Sequence, residues 1–417
     1  MLAWDRALKY IPGGSQTLSK CPDRYVNRVY PKLLSHGEGC RVWDEDGKPY
    51  TDYICGLGPI ILGYNNKYVN NAVKTSIENG KVLLSLPHSL EGEVAELLNK
   101  HIPSAEKIRF FKTGTEALMS AVRLARGYTK KTDILVCGYH GWADWYAIST
   151  DKTFGVPEIL VRYTKKFEYN NLQDVEDKLK SGSVAAIVLE PVIYDEPQEG
   201  FLEGLKQLSE QYGCLLVFDE VITGFRFGLG GAQSYFKVTP DISCFSKALG
   251  NGFPVAAIVG KAEYMDYFQY PTALMSGTFG GDLVGLSAAK ATIEALEYSI
   301  NNELLIISTI WSSGRKLKEG FNKIIERLGL ENISCVGYAP RTKFEFPSDT
   351  YKALFWQECC LRGVLFGYAN FINGEHSASN IYNTLDVVEE ALEVVRDYYK
   401  DPLSRLCGTV PVSAITK

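Results

Sequence analysis

A lysine in an apolar setting is the first residue of this sequence that could do chemistry. Lys247 follows Phe245 and Ser246 and precedes the small and apolar residues 248–250. Desolvation lowers the pKa of a lysine, and a neutral amine is the nucleophile that a Schiff base requires. A surface lysine with its ammonium in water is the alternative, and it suits most lysines of the chain. The hypothesis for Lys247 therefore depends on its partners.

A carboxylate and a hydroxyl-rich segment follow two other apolar runs. Asp219 closes the run CLLVF (214–218), where a buried carboxylate needs a cationic partner, although it could also cap the next helix. The segment TGTEA (113–117) follows KIRFF and opens a helix, whose first N–H groups can bind an anion such as phosphate. An ordinary threonine N-cap is the alternative for that segment.

An aromatic residue follows a further run. Tyr139, in the segment YHG (139–141), follows DILVC and one glycine, and it could stack on a planar ligand or could simply be a turn aromatic. Lys247, Asp219, TGTEA and YHG thus all lie where an apolar run gives way to a turn or helix. Because ligands of open α/β sheets bind beyond the carboxyl ends of the strands, these segments are expected to form one site.

Short apolar runs alternate with helical patterns through the middle of the chain. This alternation predicts an α/β fold with a mostly parallel sheet covered on both faces. Alternating runs around Asp46-Gly47 predict a β-hairpin near the start. The expected organisation is an N-terminal segment of a small domain (1–58), a large ligand-binding domain (59–300) and the C-terminal part of the small domain (301–417). Helices are predicted at 69–79, 90–101, 115–128, 204–212, 283–298, 304–328, 351–362 and 386–400.

Composition excludes several classes of protein. Apolar residues make up 46% and charged residues 22% of the 417, and the net charge is −5, so no nucleic-acid surface is expected. No run of about 18 apolar residues occurs, so no membrane span is expected. The ten cysteines are scattered without a CxxC pattern, which predicts reduced thiols in a cytoplasmic protein and no metal site.

Five motifs follow one another in a specific order: TGTEA (113–117), YHG (139–141), EPV (190–192), FDEVITGFR (218–226) and SKALGNGFPV (246–255). This set resembles the class-III aminotransferases of pyridoxal-5′-phosphate (PLP) fold type I. IPGG near the start, GGAQSYF (230–236), TPDI (239–242) and SGTFGG (276–281) resemble the glutamate-1-semialdehyde 2,1-aminomutase branch in particular. The resemblance runs from about residue 10 to about residue 399. It implies a large central domain and a smaller α+β domain built from both chain ends.

The resemblance implies PLP as the cofactor and gives the matching residues roles. Lys247 would form the Schiff base with the cofactor and then transfer protons. Asp219 would keep the pyridine nitrogen protonated, which makes the ring an electron sink. Tyr139 would stack on one face of the ring, and Val221 would pack on the other.

The phosphate site implied by the resemblance is shared between subunits. Gly114 and Thr115 would bind the phosphate, and Thr278 would complete the phosphate site of the neighbouring subunit. The active enzyme is therefore expected to be a homodimer with a shared active site, and such two-fold dimers are the commonest assembly.

The sequence departs from the aminomutase pattern at two substrate positions. Lys20 stands where that branch has an arginine, and it lacks the bidentate fork of arginine but can still bind a phosphate or carboxylate. Asn373 lies near the place of a glutamate that contacts the substrate amines in that branch, unless Glu375 substitutes for it after a shift. Trp142 also replaces the histidine that usually follows YHG.

These departures favour an aminotransferase over an aminomutase. The predicted reaction moves an amino group from an amino-acid donor, with glutamate as the expected donor, to a small ketone or aldehyde. Phosphorylated and sugar-derived compounds are the candidate acceptors. The alternatives are the glutamate-1-semialdehyde 2,1-aminomutase, a PLP decarboxylase or racemase, and a non-catalytic relative. An intact Lys247 together with Asp219 argues against the last of these.

Overall fold

The computed structural model describes residues 3–302 and 306–412. The strands are β1 (Leu34–Glu38), β2 (Arg41–Asp44), β3 (Pro49–Asp52), β4 (Lys107–Phe111), β5 (Asp133–Cys137), β6 (Thr164–Lys166), β7 (Val184–Leu189), β8 (Leu215–Asp219), β9 (Ile242–Phe245), β10 (Ala256–Gly260), β11 (Ser334–Tyr338), β12 (Arg341–Glu345), β13 (Val364–Leu365) and β14 (Asn370–Phe371). The α-helices are α1 (Ala3–Tyr10), α2 (Lys67–Glu78), α3 (Ser89–His101), α4 (Gly114–Thr129), α5 (Asp144–Ala147), α6 (Leu172–Leu179), α7 (Phe201–Gln211), α8 (Gly231–Phe236), α9 (Ala262–Met265), α10 (Leu283–Asn301), α11 (Ile306–Leu328), α12 (Asp349–Leu361) and α13 (Ala378–Asp397).

The described residues divide into two compact units. The terminal unit contains residues 3–57, Ile61–Asn66 and 308–412, and the central unit contains Gly58–Ile60, 67–302 and 306–307. Each unit has its own sheets, and the chemistry expected at Lys247 and Asp219 lies in the central unit.

The central unit is built on one large sheet. Within the described residues its strand order is β4-β10-β9-β8-β7-β5-β6. The strand β10 runs antiparallel to β4 and β9, and the other neighbours are parallel. The predicted mostly parallel sheet is therefore confirmed. The strands β7 to β10 are buried along their whole length, because helices cover both faces.

Alternate residues of the sheet enter two separate apolar clusters. Val217 of β8 joins a cluster with the inner face of α4, whereas Leu216 and Phe218 join a second cluster with α6 and α7. This alternation is the period of two that a strand imposes on its side chains. It fixes which side of each strand end faces α4, and so which residues can reach a ligand there.

The terminal unit contains two small sheets among its described residues. One has the order β1-β2-β3-β13 and the other the order β11-β12-β14. The hairpin predicted around Asp46-Gly47 is confirmed, since β2 and β3 pair antiparallel and Gly47 has a φ of +82°, a backbone conformation that favours glycine. The helices α12 and α13 belong to the same unit.

Two of the differences from the sequence-based prediction have a clear physical cause. The helix expected at 386–400 begins at Ala378, because Ser377 and Asn380 cap each other reciprocally and start it two turns earlier. The bounds of the strand β9 before Lys247 were not predicted, since Ser243 interrupts its apolar run. Ser243 is fully buried, and its hydroxyl lies 3.0 Å from that of Ser104. The predicted helix start at 304–305 lies outside the described residues.

Other sequence expectations concern the environment of the protein. Among the residues that the structure describes, no helix combines the length and the apolar character needed to cross a bilayer. All ten cysteines lie in the described part of the chain as free thiols, and most of them are buried.

Candidate active site

One edge of the central sheet collects the ends of five strands. The strands β5, β7, β8 and β9 are parallel, and β4 has the same direction because the antiparallel β10 lies between it and β9. The residues that follow these strands therefore meet at one edge. They line a cavity of about 310 Å³ that includes Lys247 and Asp219.

The groups suited to bind an anion lie between the end of β4 and the start of α4. We call the N–H groups of Gly114 and Thr115 at this helix start the anion cradle. Thr113 is the N-cap of α4 and forms a capping box with Glu116, so the helix begins with its first N–H groups at Gly114 and Thr115. These N–H groups have no carbonyl partner within the helix, and the helix dipole adds positive potential at this end. The cavity beside Gly114 and Thr115 is thus suited to a phosphate.

The residues around the cradle pack so closely that two positions, 114 and 141, must be glycine. A Cβ on Gly114 would lie 2.7 Å from a methyl group of Val221. A Cβ on Gly141, which has a φ of +88°, would lie 2.3 Å from the hydroxyl of Thr115. The YHG turn therefore packs directly against the cradle, and Val221 packs against its first residue.

Asp219 is the buried acid of the cavity. It is 3% exposed, and its Oδ1 accepts a hydrogen bond from the N–H of Val221 at 3.1 Å. Its Oδ2 lies 2.8 Å from Nδ1 of the fully buried His140, whose Nε2 lies 3.0 Å from the carbonyl oxygen of Cys137. The imidazole ring thus connects the carboxylate at the end of β8 to the end of β5. It also holds Asp219 in one orientation.

Lys247 follows β9 closely and has a strained backbone. Its φ of +45° lies in the left-handed region, which costs a non-glycine residue about 1 kcal/mol or more and is concentrated at functional sites. The hydroxyl of Ser246 donates to the carbonyl of Val255 at 2.9 Å, which ties the end of β9 to the start of β10. The amine-bearing residue is therefore held by the sheet rather than by a loose loop.

Tyr139 presents an aromatic ring at the same cavity. Its side chain is 44% exposed, and burial of the hydroxyl, with Asp219 and Glu190 nearby, raises its pKa. The N–H of Tyr139 donates to Oε1 of Glu190 at 3.0 Å. Glu190 follows β7 in the same way that Asp219 ends β8, and it lines the cavity although no role was predicted for it.

Six of the seven predicted cofactor residues meet at this cavity. Among the described residues the lining includes Gly114, Thr115, Tyr139, Asp219, Val221 and Lys247. Thr278 does not line this cavity, and its side chain is exposed. The role of Thr278 in the phosphate site of another subunit stays a prediction.

No role was predicted for four residues that lie at or beside the cavity. Lys112, Glu190 and Ser246 line the cavity, and His140 contacts Asp219 from behind it. Lys112, Glu190 and Ser246 directly follow β4, β7 and β9, so their position in the sequence could have identified them. His140 could have been identified only by its place in the YHG motif.

The predicted substrate residue Lys20 lies in the terminal unit. It is exposed and lines a cavity of about 430 Å³ within that unit. Asp52 is the only carboxylate lining this cavity among the described residues, and it accepts hydrogen bonds from Ile54 N–H at 2.8 Å, Cys55 N–H at 3.0 Å and the Tyr64 hydroxyl at 2.6 Å. Burial raises the pKa of Asp52, while these donors and the charge of Lys20 oppose the rise.

Asn373 also lies in the terminal unit, and it is fully buried. Its Oδ1 accepts from the N–H of Glu375 at 3.0 Å, and its Nδ2 lies 3.6 Å from Sγ of Cys55. Glu375 is exposed and lies against Gly39 and Gly63. Neither Asn373 nor Glu375 lines the Lys20 cavity within the described chain.

The central cavity has the functional groups that PLP requires. It combines an anion cradle at α4, a buried carboxylate for a pyridinium, a lysine amine and an aromatic ring. On a mostly parallel α/β sheet, this set defines a PLP enzyme of fold type I.

Comparison with known proteins agrees with this class. The family model described as aminotransferase class-III matches residues 25–367, so the chain belongs to the class-III aminotransferases. It is 33% identical to a 3-aminobutyryl-CoA aminotransferase of Cloacimonas acidaminovorans (strain Evry), over 95% of this chain and 97% of that protein. It is 38% identical to a glutamate-1-semialdehyde 2,1-aminomutase of Methanothrix thermoacetophila, over 92% and 94%.

A solved structure shares the fold. The FumI protein of Sphingopyxis sp. MTA144, in its PLP internal aldimine form, superposes with a TM-score of 0.87 at 24% identity over 95% of this chain and 96% of that one. The predictions of family, fold type I, PLP as cofactor and an enzymatic role are confirmed.

Proposed function

We propose that this protein is an intermolecular aminotransferase that moves the amino group of an amino acid, with glutamate as the donor, to a small ketone or aldehyde bearing an anionic group. The negative charge that we propose for the acceptor is inferred from the cavity that Lys20 lines. Its one carboxylate in the described chain, Asp52, already accepts from three donors, and the cavity is lined by two lysines, Lys20 and Lys32. This balance of charge favours an anion, and phosphorylated and sugar-derived acceptors fit it.

Each residue of the central cavity has its own role in amino transfer. Bound PLP supplies an electron sink for negative charge on the carbon that carries the amine. Lys247 would hold the cofactor through its amine and, once released, could move the proton at that carbon. Asp219, oriented by His140 and the N–H of Val221, would pair with the pyridine nitrogen and keep it protonated.

The remaining cofactor residues hold the ring and its phosphate. Tyr139 would pack on one face of the ring and Val221 on the other. The N–H groups of Gly114 and Thr115 would bind the phosphate at the start of α4. Val221 also packs closely beside Gly114, where a Cβ would meet its methyl groups. The residues for the ring and those for the phosphate are therefore neighbours.

The neutral side chain of Asn373 favours amino transfer between two molecules over aminomutation. An aminomutase must retain a diamine, which favours a carboxylate in the Asn373 segment. The Asn373 amide is neutral and engaged in its own turn, and Glu375 lies against Gly39 and Gly63. The Asn373 segment therefore offers no carboxylate for a second amine, which suits a substrate with one amine. The donor product then leaves before the acceptor binds, as in ping-pong kinetics.

The active form is a homodimer in which Thr278 completes the neighbouring phosphate site. Thr278 is exposed, and it lies in a segment with large exposed apolar side chains. Exposed apolar surface of this kind is typical of protein interfaces. The cytoplasm remains the predicted location.

Half-reactions test the proposal directly. Purified holoenzyme mixed with glutamate alone should release 2-oxoglutarate in an amount equal to the active sites and then stop. Adding a panel of ketones and aldehydes, each with and without a phosphate, should restart turnover only with anionic members. Rapid conversion of glutamate-1-semialdehyde to 5-aminolevulinate with no external donor would overturn the proposal in favour of the aminomutase.

A further inference from the structure

The segment that carries Thr278, residues 276–281, packs beside the end of β4. Gly280 lies so close to this strand that a Cβ would come within 2.9 Å of the carbonyl oxygen of Phe110. The N–H of Gly280 also donates to the carbonyl of Gly277 at 3.1 Å, which closes a turn around Thr278. Thr278 itself is exposed on this turn. Its position therefore depends on what holds the segment against its own chain.

An ion pair joins this segment to the anion cradle of the same chain. Asp282 is the N-cap of α10, and its Oδ1 accepts from the N–H groups of Val284 and Gly285 at 3.0 Å. Its Oδ2 pairs with the ammonium of Lys112. Both side chains are largely buried, with 20% of Lys112 and 15% of Asp282 exposed, so water screens the pair less than a surface ion pair.

The two ends of this ion pair belong to the two phosphate-binding segments. The N–H of Lys112 donates to Oε2 of Glu116 in the capping box that opens α4, so the backbone of Lys112 is part of the cradle. Its side chain extends to Asp282, four residues after Thr278. Gly285 leaves the space for the pair, because a Cβ there would lie 2.8 Å from the ammonium of Lys112.

We propose that Lys112 is a positioning residue for the phosphate site of the neighbouring subunit, because its ion pair with Asp282 holds the segment that carries Thr278. This inference rests on the proposed homodimer with a shared active site. Lys112 acts on its own cradle through its backbone, and on the neighbouring subunit through its side chain. The side chain therefore couples the two cofactor sites of the dimer.

The first experiment measures PLP affinity in homodimers. Lys112→Met and Asp282→Asn should each raise the dissociation constant of PLP about tenfold, the effect of losing about 1.4 kcal/mol of binding free energy with the ion pair. Lys112→Arg keeps the charge and should restore wild-type affinity. Lys107→Met, at the other end of β4 in an exposed ion pair with Asp266, is the matched control and should leave affinity unchanged. Equal affinity in Lys112→Met and wild type overturns the proposal.

The second experiment separates the two subunits. In a heterodimer of wild type with a Lys247→Ala/Lys112→Met chain, the only lysine-linked PLP is in the wild-type subunit, and its Thr278 comes from the altered chain. This site should bind PLP about tenfold more weakly than in a heterodimer of wild type with Lys247→Ala. In the reverse pairing, Lys112→Met with Lys247→Ala, the Lys112 side chain is removed from the cavity that it lines, and PLP binding should weaken less than in the first pairing. PLP trapped by borohydride reports occupancy in both. Weakening only in the reverse pairing overturns the proposal.

A Thr278 variant distinguishes failure of this inference from failure of the shared site. Wild type is paired with a Lys247→Ala/Thr278→Ala chain, and PLP affinity is measured in the same way. If this pairing weakens PLP binding but the Lys112→Met pairing does not, only the role of Lys112 is wrong. If neither pairing weakens it, the shared phosphate site is wrong as well.

Discussion

Two oxygens of one carboxylate have separate partners at the end of β8. Asp219 accepts from the N–H of Val221 with Oδ1, and its Oδ2 lies beside Nδ1 of His140. Burying a carboxylate without such partners would cost several kcal/mol. A cationic ligand at the cavity would add the charge that these groups leave uncompensated, which is why this position suits a pyridinium.

Asp219→Asn tests that role. The amide keeps the shape of the side chain but carries no charge, so the protonated ring loses its counter-ion. We expect kcat to fall by about two to three orders of magnitude, as for other losses of charge stabilisation in active sites. Steady-state rates at saturating PLP measure the effect. Asp241→Asn is the control, because Asp241 is equally buried but pairs with Lys206 outside the cavity. Near-wild-type turnover in Asp219→Asn would rule out the role.

Lys20 is the second residue whose role can be measured. Lys20→Ala should raise the KM of the acceptor by about tenfold and change kcat little, because a remote anchor contributes mainly uniform binding. Lys9→Ala supplies the control, since Lys9 is an exposed lysine of the same unit that does not line the cavity. An unchanged acceptor KM would mean that Lys20 is an ordinary surface lysine.

At the scale of elements, strand ends were the informative feature of the sequence. Position after an apolar residue or run singled out Asp219, Lys247 and the cradle as candidates, because parallel strands bring their carboxyl ends to one edge. Their roles came from the family resemblance. The same rule applies to Glu190 but was not used there. Side-chain partners such as the one joining Lys112 to Asp282 could not be predicted, since they depend on how segments distant in the sequence pack.

The sequence predicted the presence of the long helices better than the residues at which they begin and end. The α13 start at Ala378 rests on Ser377 and Asn380, and Asn replaces the Glu or Gln of the usual capping box. The first turns of α13 are also largely polar and exposed, so apolar periodicity begins only later. Periodicity alone therefore placed the start at 386.

The cap at α13 gives a prediction on stability. Ser377→Ala removes the acceptor for the Asn380 N–H and should lower the free energy of unfolding by about 1 kcal/mol. Denaturant unfolding monitored by circular dichroism measures the change. Ser379→Ala is the matched control, because Ser379 is exposed in the same turn without a capping role, and it should change stability by less than about 0.5 kcal/mol. Equal effects of both substitutions would contradict the cap.

At the scale of the whole molecule, exposed apolar side chains lie on two segments near Thr278. The segments 82–86 and 274–279 are linked through the start of α10, where the N–H of Leu283 donates to the carbonyl of Val82 at 2.8 Å. Their large exposed apolar residues are Val82, Leu83, Leu84, Leu86, Leu274 and Phe279. Leaving such a group in water is unfavourable by about 25 cal/mol per Å² of apolar surface, so a partner surface is expected there.

A charge in these segments should therefore separate the subunits. Leu86→Asp places a carboxylate on a side chain that is 79% exposed, so the fold of the single chain should tolerate it. Light scattering is expected to show a dimer for wild type and a monomer for the variant. The monomer should also bind PLP more weakly, because it lacks the partner's Thr278. Leu403→Asp, at an exposed leucine of the terminal unit, should leave both properties unchanged. A monomer of Leu86→Asp that keeps full PLP affinity and activity would contradict a shared site, whereas an unchanged dimer would place the interface on another surface.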